Sequence, residues 1–447
     1  MMTPQDIPLY EEVVNGFNRL SAADALGRES SDLRKTRQSA FERFRESGFP
    51  TIRNEDWKYT NIARFLKEEY MLAGEETVPV AENVRAAMER ARITELDAYT
   101  LLLVNGVWQK GDAGELPKGV ELLTVAEARQ DPALSVYFER PADGRERYFA
   151  ALNTAMFSDG LFIRVDAGAL PAKTLHIIHV FTTDHNVLVQ PRHVWVVNRQ
   201  AELKVIESVV TAGAGGNAKI WVNSLTEIIV HQDAKVDHTV VQTPGEGTRL
   251  VQHTTVRQKR QSLYNNYNFT FPGSDLVRND LQIRLEEDHT ETHLFGLYLT
   301  AGQQLVDNHT LVDHQKPACF SNELYKGVLL EQSTGVFNGK VYVHRDAQKT
   351  NAFQQNNNLV ISKKATIDSK PELEIFADDV KCSHGSTVGQ FSEEALFYLR
   401  ARGIGEDTAK GLLINAFAFD VTEKIKNPAV EAHVNQLISQ HIPLTHA

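Results

Sequence analysis

From about Leu161 onward, some two hundred residues pass with hardly a segment of helical period. Short runs rich in β-branched and aromatic residues follow one another instead. They are Thr174–Phe181, His193–Val197, Leu203–Val210, Trp221–Val230, Val236–Gln242, Leu250–Arg257, Tyr267–Phe271, Leu281–Leu285 and Leu294–Thr300, then Val328–Leu330, Gly339–Val343, Asn358–Ser362 and Leu373–Phe376. Asp, Asn, Gly and Lys fill the turns between them, so the runs read as strands. An open sheet of this many strands would be unusually wide. Closing it into a sandwich, a barrel or a solenoid is the usual solution. Two features favour a solenoid. Ala347-Gln-Lys-Thr-Asn-Ala352 and Lys364-Ala-Thr-Ile-Asp-Ser369 fall at comparable turn positions one coil apart, and Gln354-Gln-Asn-Asn-Asn358 suits a side-chain ladder between stacked coils. The repeat is too irregular to decide among the three from pattern alone.

The flanks are helical. From the N-cap candidate Ser31, Leu33, Ala40, Phe41 and Phe44 fall on one helical face, and Gly48-Phe49-Pro50 ends the run. The charged and aromatic stretch Arg53-Asn-Glu-Asp-Trp-Lys-Tyr-Thr60 reads as packing, with Trp57 and Tyr59 buried among the N-terminal helices. Asn105-Gly106 predicts a hairpin turn. Near the other terminus, Ser392 can cap a helix carrying Leu396, Phe397 and Leu399, and Gly403-Ile-Gly405 breaks it. The next helix places Ala409, Leu412, Leu413, Ala416 and Phe417 at amphipathic spacing. A third starts at Asn427-Pro428 and carries Val430, Val434, Leu437 and Ile438. These helices read as a cap on the β region, as a docking module for another protein, or as both. The expected division is 1–160 (helical with a small α/β part), 161–390 (β core) and 391–447 (helical).

Several function classes are disfavoured. A formal charge of −11 without any long Lys/Arg block argues against holding nucleic acid by phosphate neutralisation. The first residues show neither the basic nor the apolar region of a secretory signal, and no run approaches the ~18–20 apolar residues of a spanning helix. Two cysteines in 447 residues make no disulfide framework, and a reducing cytoplasm is the expected compartment. Gly213-Ala-Gly-Gly-Asn-Ala-Lys219 lacks the Gly-Lys-Ser/Thr ending of a phosphate loop and reads as a connection between strands. Nucleotide chemistry must therefore come from a partner.

The segment Phe376-Ala-Asp-Asp-Val-Lys-Cys-Ser-His-Gly-Ser-Thr-Val-Gly389 carries the most chemistry. In a strand, Cys382 and His384 face the same way, which sets a thiol beside an imidazole. An adjacent cation would lower the thiol's pKa. An iron–sulfur cluster needs about four such ligands, and this chain holds only Cys319 and Cys382. If the pair handles metal, a second polypeptide completes the set. His289 and His293 read as one solvated strand face, His309 and His314 as facing opposite ways, and Cys319 as a small core residue.

Taken together, several segments resemble the SufD family of the SUF iron–sulfur cluster assembly system. They are Leu311-Val-Asp-His314, Ser321-Asn-Glu-Leu-Tyr-Lys-Gly327, Gly335-Val-Phe-Asn-Gly-Lys340, Ala347–Ala352 and Ala377-Asp-Asp-Val-Lys-Cys-Ser-His-Gly385. Arg53–Thr60 and Phe397-Tyr-Leu-Arg-Ala-Arg-Gly-Ile404 fit the same family. The resemblance implies a mainly β protein, a right-handed parallel β-helix flanked by N- and C-terminal helical regions. It also implies pairing with the paralogue SufB and binding of the ABC-type ATPase SufC. SufB-type chains resemble Gln-Cys-Asp-Ser-Leu where this chain has Gln355-Asn-Asn-Asn-Leu359, and His-Glu-Ala-Thr-Thr where it has His384-Gly-Ser-Thr387. The cysteine that the family assigns to nascent-cluster assembly is thus replaced by Asn356.

By this resemblance the chain is not an enzyme but a scaffold subunit. His384, with Cys382, would serve a site shared with SufB, and Leu396, Phe397, Leu412, Leu413 and Phe417 would bind SufC. No cofactor is expected to be held tightly by the isolated chain. Iron or a transient cluster would sit at the SufB interface, and a flavin in the complex and a homodimer of the isolated chain stay open. No nucleic acid and no membrane are expected as partners. Two other readings compete: a β-helical carbohydrate-active enzyme, and a purely structural binding module. The adjacent pairs Asp378-Asp379 and Glu286-Glu287 split between strand faces, which is a poor arrangement for paired carboxylates across a groove.

Overall fold

The structure, a computed structural model, describes residues 7–22, 29–73, 82–110, 117–139, 148–212 and 218–442. The extreme N-terminus and residues 213–217 of the glycine-rich connection lie outside them.

Successive strands alternate between two sheets, and every second strand pairs with the one before it in the same sheet. The first sheet runs back from Thr366–Ile375 through Thr334–Val343, Leu305–His314, Leu276–Leu285, Thr248–Gln258, Ile220–Val230, Arg192–Val197 and Leu161–Val165 to Val120–Thr124. The second runs back from Val380–Gly389 through Thr350–Val360, Phe320–Leu329, Glu291–Thr300, Leu263–Thr270, Lys235–Thr243, Glu202–Thr211 and Thr174–Phe181 to Ala98–Val104 and Val107–Trp108. From Leu161 onward the ladders along both paths are parallel and in register, with Ile220 beside Thr248, Lys235 beside Leu263 and Phe320 beside Asn351. This is a parallel β-helix, as the family resemblance implies. Among the alternatives left open by pattern, the solenoid holds and the sandwich and barrel do not. At the N-terminal end strand direction reverses: Val120–Thr124 and the two-residue Val107–Trp108 pair antiparallel to their neighbours.

Alternation along each strand fills the space between the sheets. Val236, Tyr264, Leu294 and Tyr325 point inward to one apolar core, while Val241, Phe269, Phe295 and Val328 point outward beneath the C-terminal helices. Full-length strands such as Leu305–His314 and Phe320–Leu329 also carry polar residues at inner positions (Asn308, Ser321 and Glu323, all buried), which blurred their hydrophobic signal.

Eight α-helices are described: α1 (Pro8–Ala22), α2 (Ser31–Ser47), α3 (Glu82–Ala91), α4 (Val125–Ala128), α5 (Tyr148–Met156), α6 (Glu393–Ala401), α7 (Glu406–Thr422) and α8 (Pro428–His441). The N-cap of α2 is Ser30, one residue before the expected Ser31, and its side chain accepts from the Leu33 N–H at 3.1 Å. Helices α1, α2 and α5 pack with Phe49, Trp57 and Phe65 against the first sheet at Leu188 and Trp221. Trp57 is buried under the Arg278 guanidinium, 3.9 Å from the ring centre. Tyr59, expected to be buried with it, is 37% exposed: its ring points to solvent beside Lys58. The hairpin at Asn105-Gly106 forms, both residues at positive φ and Leu103 opposite Trp108.

At the other terminus, Ser392 caps α6 and Asn427 caps α8, as expected. These helices do not cap the end of the β-helix. Ile414, Ala418, Val421, Val430, Val434 and Ile438 lie against the outer face of the second sheet, at Tyr267, Phe269, Leu297 and Val328. The buried stripe of α7 also differs from the expected one. Ala409, Ile414, Ala418 and Val421 are buried, whereas Leu412 and Ala416 are exposed. The cause is a helix apolar almost all round from Leu412 to Val421, in which spacing alone does not pick a face.

Candidate functional site

Because α7 and α8 cover a face, no described strand lies beyond the last coil of the β-helix. Among the described residues, Val380–Gly389 pairs only with Thr350–Val360, and Thr366–Ile375 only with Thr334–Val343. Each leaves one row of backbone groups unpaired. An open edge is a template for another chain unless it is blunted. Thr366–Ile375 carries some blunting: Pro371, which suits an edge because it lacks an N–H, and Lys370, which bridges Glu55 and Glu372 at 2.6 and 2.7 Å. Val380–Gly389 has only Lys381 of this kind.

Register places the candidate residues. Cys382 lies beside Ala352, His384 beside Gln354, Ser386 beside Asn356 and Val388 beside Asn358. Ala352, Gln354, Asn356 and Asn358 are all buried on the inner face. Cys382 and His384 therefore share the inner face of the final coil, on the side that opens to solvent. Cys382 is half-buried and packs against the small apolar group Val341, Val343, Ala347, Ala352 and Ala377. Burial pushes its thiol above the usual range. The expected activation by a neighbouring cation is thus outweighed, since Lys381 points outward. His384 is exposed, and no hydrogen bond from the described residues holds its ring.

Beside the pair lies a polar knot. Ser369 donates to Asn356 Oδ1 at 2.7 Å and lies 2.8 Å from the Ser386 hydroxyl across the interior. Asn358 Nδ2 donates to the same Asn356 oxygen at 2.6 Å, and the Tyr298 hydroxyl donates to Asn358. Asn356 is fully buried. Where a cysteine would offer a thiol, this chain offers an amide already committed to structure.

The other histidines are mostly accounted for. His289 lies in a turn before Glu291–Thr300, at φ 59°, so it shares no strand face with His293. Each has its own carboxylate, Asp288 at 3.0 Å and Glu291 at 2.7 Å. His309 and His314 do face opposite ways, outward to Asp307 and inward to Ser321. Cys319 is buried in the core, and burial raises its thiol pKa. A cluster not anticipated from sequence sits mid-core. The Glu207 carboxylate takes the Nε2 atoms of His179 and His238, each at 2.7 Å, and His238 Nδ1 meets the Tyr264 hydroxyl at 2.9 Å. Its members lie dozens of residues apart and meet only through coil register. Among the described residues, no three His, Cys, Asp or Glu side chains converge to hold a metal ion.

The proposed docking residues separate by exposure. Phe397 is 73% exposed and α6 buries none of its residues. Leu412 is exposed, with Tyr398 and Phe419 exposed as well. Leu396 and Leu413 are half-buried. Phe417 is held against the β-helix, where Lys326 Nζ lies 4.3 Å from its ring centre and donates to its carbonyl at 2.8 Å.

The chain falls into a family of cluster-assembly proteins. Residues 179–417 match the family described as SUF system FeS cluster assembly, SufBD core domain, and residues 20–177 match the SufBD protein N-terminal region. The chain therefore belongs to the SufBD family of iron–sulfur cluster assembly proteins. Within that family it is similar to the iron–sulfur cluster assembly protein SufD of Escherichia coli, at 28% identity over 91% of this chain and 92% of that one. It is 31% identical to an iron–sulfur cluster assembly SufBD family protein of Synechocystis over 92% of each chain. It is also 34% identical to a chloroplastic protein of Arabidopsis thaliana, ABCI7, over about half of each. Among the described residues no helix is long and apolar enough to cross a membrane.

Proposed function

We propose that this chain is the SufD-like, non-enzymatic subunit of a cytoplasmic cluster-assembly scaffold, that it pairs with a SufB-type subunit through its open last coil, and that it contributes His384 to a site at that join. The observation that carries this reading is His384 itself. It is exposed and unheld on the inner face of a free-edged strand. The fully buried histidines are paired instead, as His179, His238 and His314 are. Iron or a nascent cluster is the cargo, with the remaining thiolate ligands supplied by the partner. Imidazole donation to a mixed site favours lability, which suits a scaffold that must release its product. Cys382, half-buried with its thiol pKa raised by burial, is the secondary candidate. The ATPase partner, of the ABC type, docks on the exposed side of α6 and α7 around Phe397 and Leu412.

The test is cluster reconstitution in the complex assembled with the SufB-type and SufC-type partners. His384→Ala should leave folding and ATPase binding intact and depress cluster yield. The isolated chain should carry little cluster with or without His384. Wild-type yield and rate from the His384→Ala complex would overturn the proposal.

A further inference from the structure

Three inner-face side chains stand in register on successive coils: Glu323, then Gln354, then His384. The first two are 2% and 3% exposed, and the third lies at the open end. Gln354 Nε2 donates to Glu323 Oε2 at 2.8 Å, which turns the amide nitrogen toward the coil behind. The other end of that amide, Oε1, has no hydrogen-bond partner although it is buried. A buried acceptor left unmade costs about 1–3 kcal/mol and calls for an explanation. The opposite sheet leaves room for this arrangement. A Cβ on Gly339 would stand 2.5 Å from Gln354 Nε2 and 2.6 Å from the Phe337 ring, so only glycine there lets the amide lie where it does.

We infer that Gln354 is a positioning residue for His384: the ring stands free in this structure, and a turn of its side chain lets it donate an N–H to the buried, unpartnered amide oxygen beside it, which fixes one tautomer and leaves the other ring nitrogen free for metal. Adjacent in-register strands lie about 4.8 Å apart, within reach of a glutamine side chain toward its ladder neighbour. Metal-binding histidines almost always donate their second N–H to a carbonyl or carboxylate, and losing that contact typically costs about 10–100-fold in metal affinity or activity. Glu323 acts one step further back, by holding the amide the right way round. The inference rests on the reading of His384 as a ligand, and its test separates the two.

The primary readout is nitrogen NMR of the full-length chain with ring-labelled histidine, His384 being assigned by its loss in His384→Ala. Wild type should show His384 in a single tautomer, and Gln354→Met a mixture. Gly339→Ala displaces the amide without changing Gln354 and should give the same mixture, which keeps the test alive if Gln354→Met folds poorly. The exchange Glu323→Gln with Gln354→Glu restores a donor at the inner position and an acceptor facing His384, so it should recover the single tautomer. In the assembled complex, Gln354→Met should lower cluster formation roughly tenfold or more, and the exchange should restore most of it. The same tautomer balance in wild type and in both single variants would overturn the inference, whatever the complex does. Undiminished cluster formation in His384→Ala would instead overturn the ligand reading beneath it.

Discussion

Glycine and tyrosine divide the interior between them near the site. A Cβ on Gly327 would stand 2.4 Å from the Tyr298 ring and 2.5 Å from Asn358 Oδ1, and one on Gly296 would stand 2.2 Å from the Tyr325 ring. Each glycine yields space to its ladder partner's ring. Gly327→Ala should therefore destabilise by about 1–3 kcal/mol through overpacking, measured by chemical denaturation. Glu323 offers a pH-dependent counterpart. Burial pushes its carboxyl up to about 7. A raised folded-state pKa means that the native state keeps the proton when the unfolded chain has lost it. This contribution to stability is full below the unfolded value of about 4.3, declines as pH rises, and is gone once pH passes about 7. Denaturation midpoints should decline from about pH 4.3 to about pH 7 in wild type, and Glu323→Gln should flatten that part of the profile. A decline of the same size in the variant would assign it to other groups.

Individual strands and helices were largely legible because alternation and caps are local. Ser392, Asn427 and the Asn105-Gly106 turn each announced a boundary that the structure keeps. Leu305–His314 does not stand out in the sequence as a full strand, since Asp307, Asn308 and His314 occupy buried positions that pattern reserves for apolar residues. The face of α7 is hidden in the sequence for the opposite reason, an excess of apolar residues. For the site, the shared face of Cys382 and His384 followed from period two, but the Glu323–Gln354–His384 stack depends on coil register, which no local pattern encodes. The helices allow two contrasting tests. Ile438→Ala, in the buried seam of α8, should cost about 2–5 kcal/mol of stability. Phe397→Asp, on a side chain that is 73% exposed, should leave stability within about 0.5 kcal/mol of wild type while weakening capture of the ATPase partner. Because α7 and α8 also cover an apolar sheet face, a truncation after Gln390 would uncover Phe295, Leu297 and Val328 and confound the binding result.

Across the molecule, the open coil is expected to carry subunit pairing. Val388 is 59% exposed on that coil, beside Asn358. Val388→Lys adds charge where a partner would have to approach, so it should weaken association with the SufB-type subunit, measured by light scattering after gel filtration. Unchanged association would move the interface elsewhere. The two ends of the β-helix also differ in what they permit. At one, the antiparallel Val120–Thr124 and the two-residue Val107–Trp108 terminate the ladder; at the other, Val380–Gly389 leaves it running. A rod with two running ends would polymerise into a fibre. A rod with one can only join another head-on, after which neither has a running end left. If the open coil carries pairing, its polarity favours a closed pair over a fibre, with growth stopping where assembly begins.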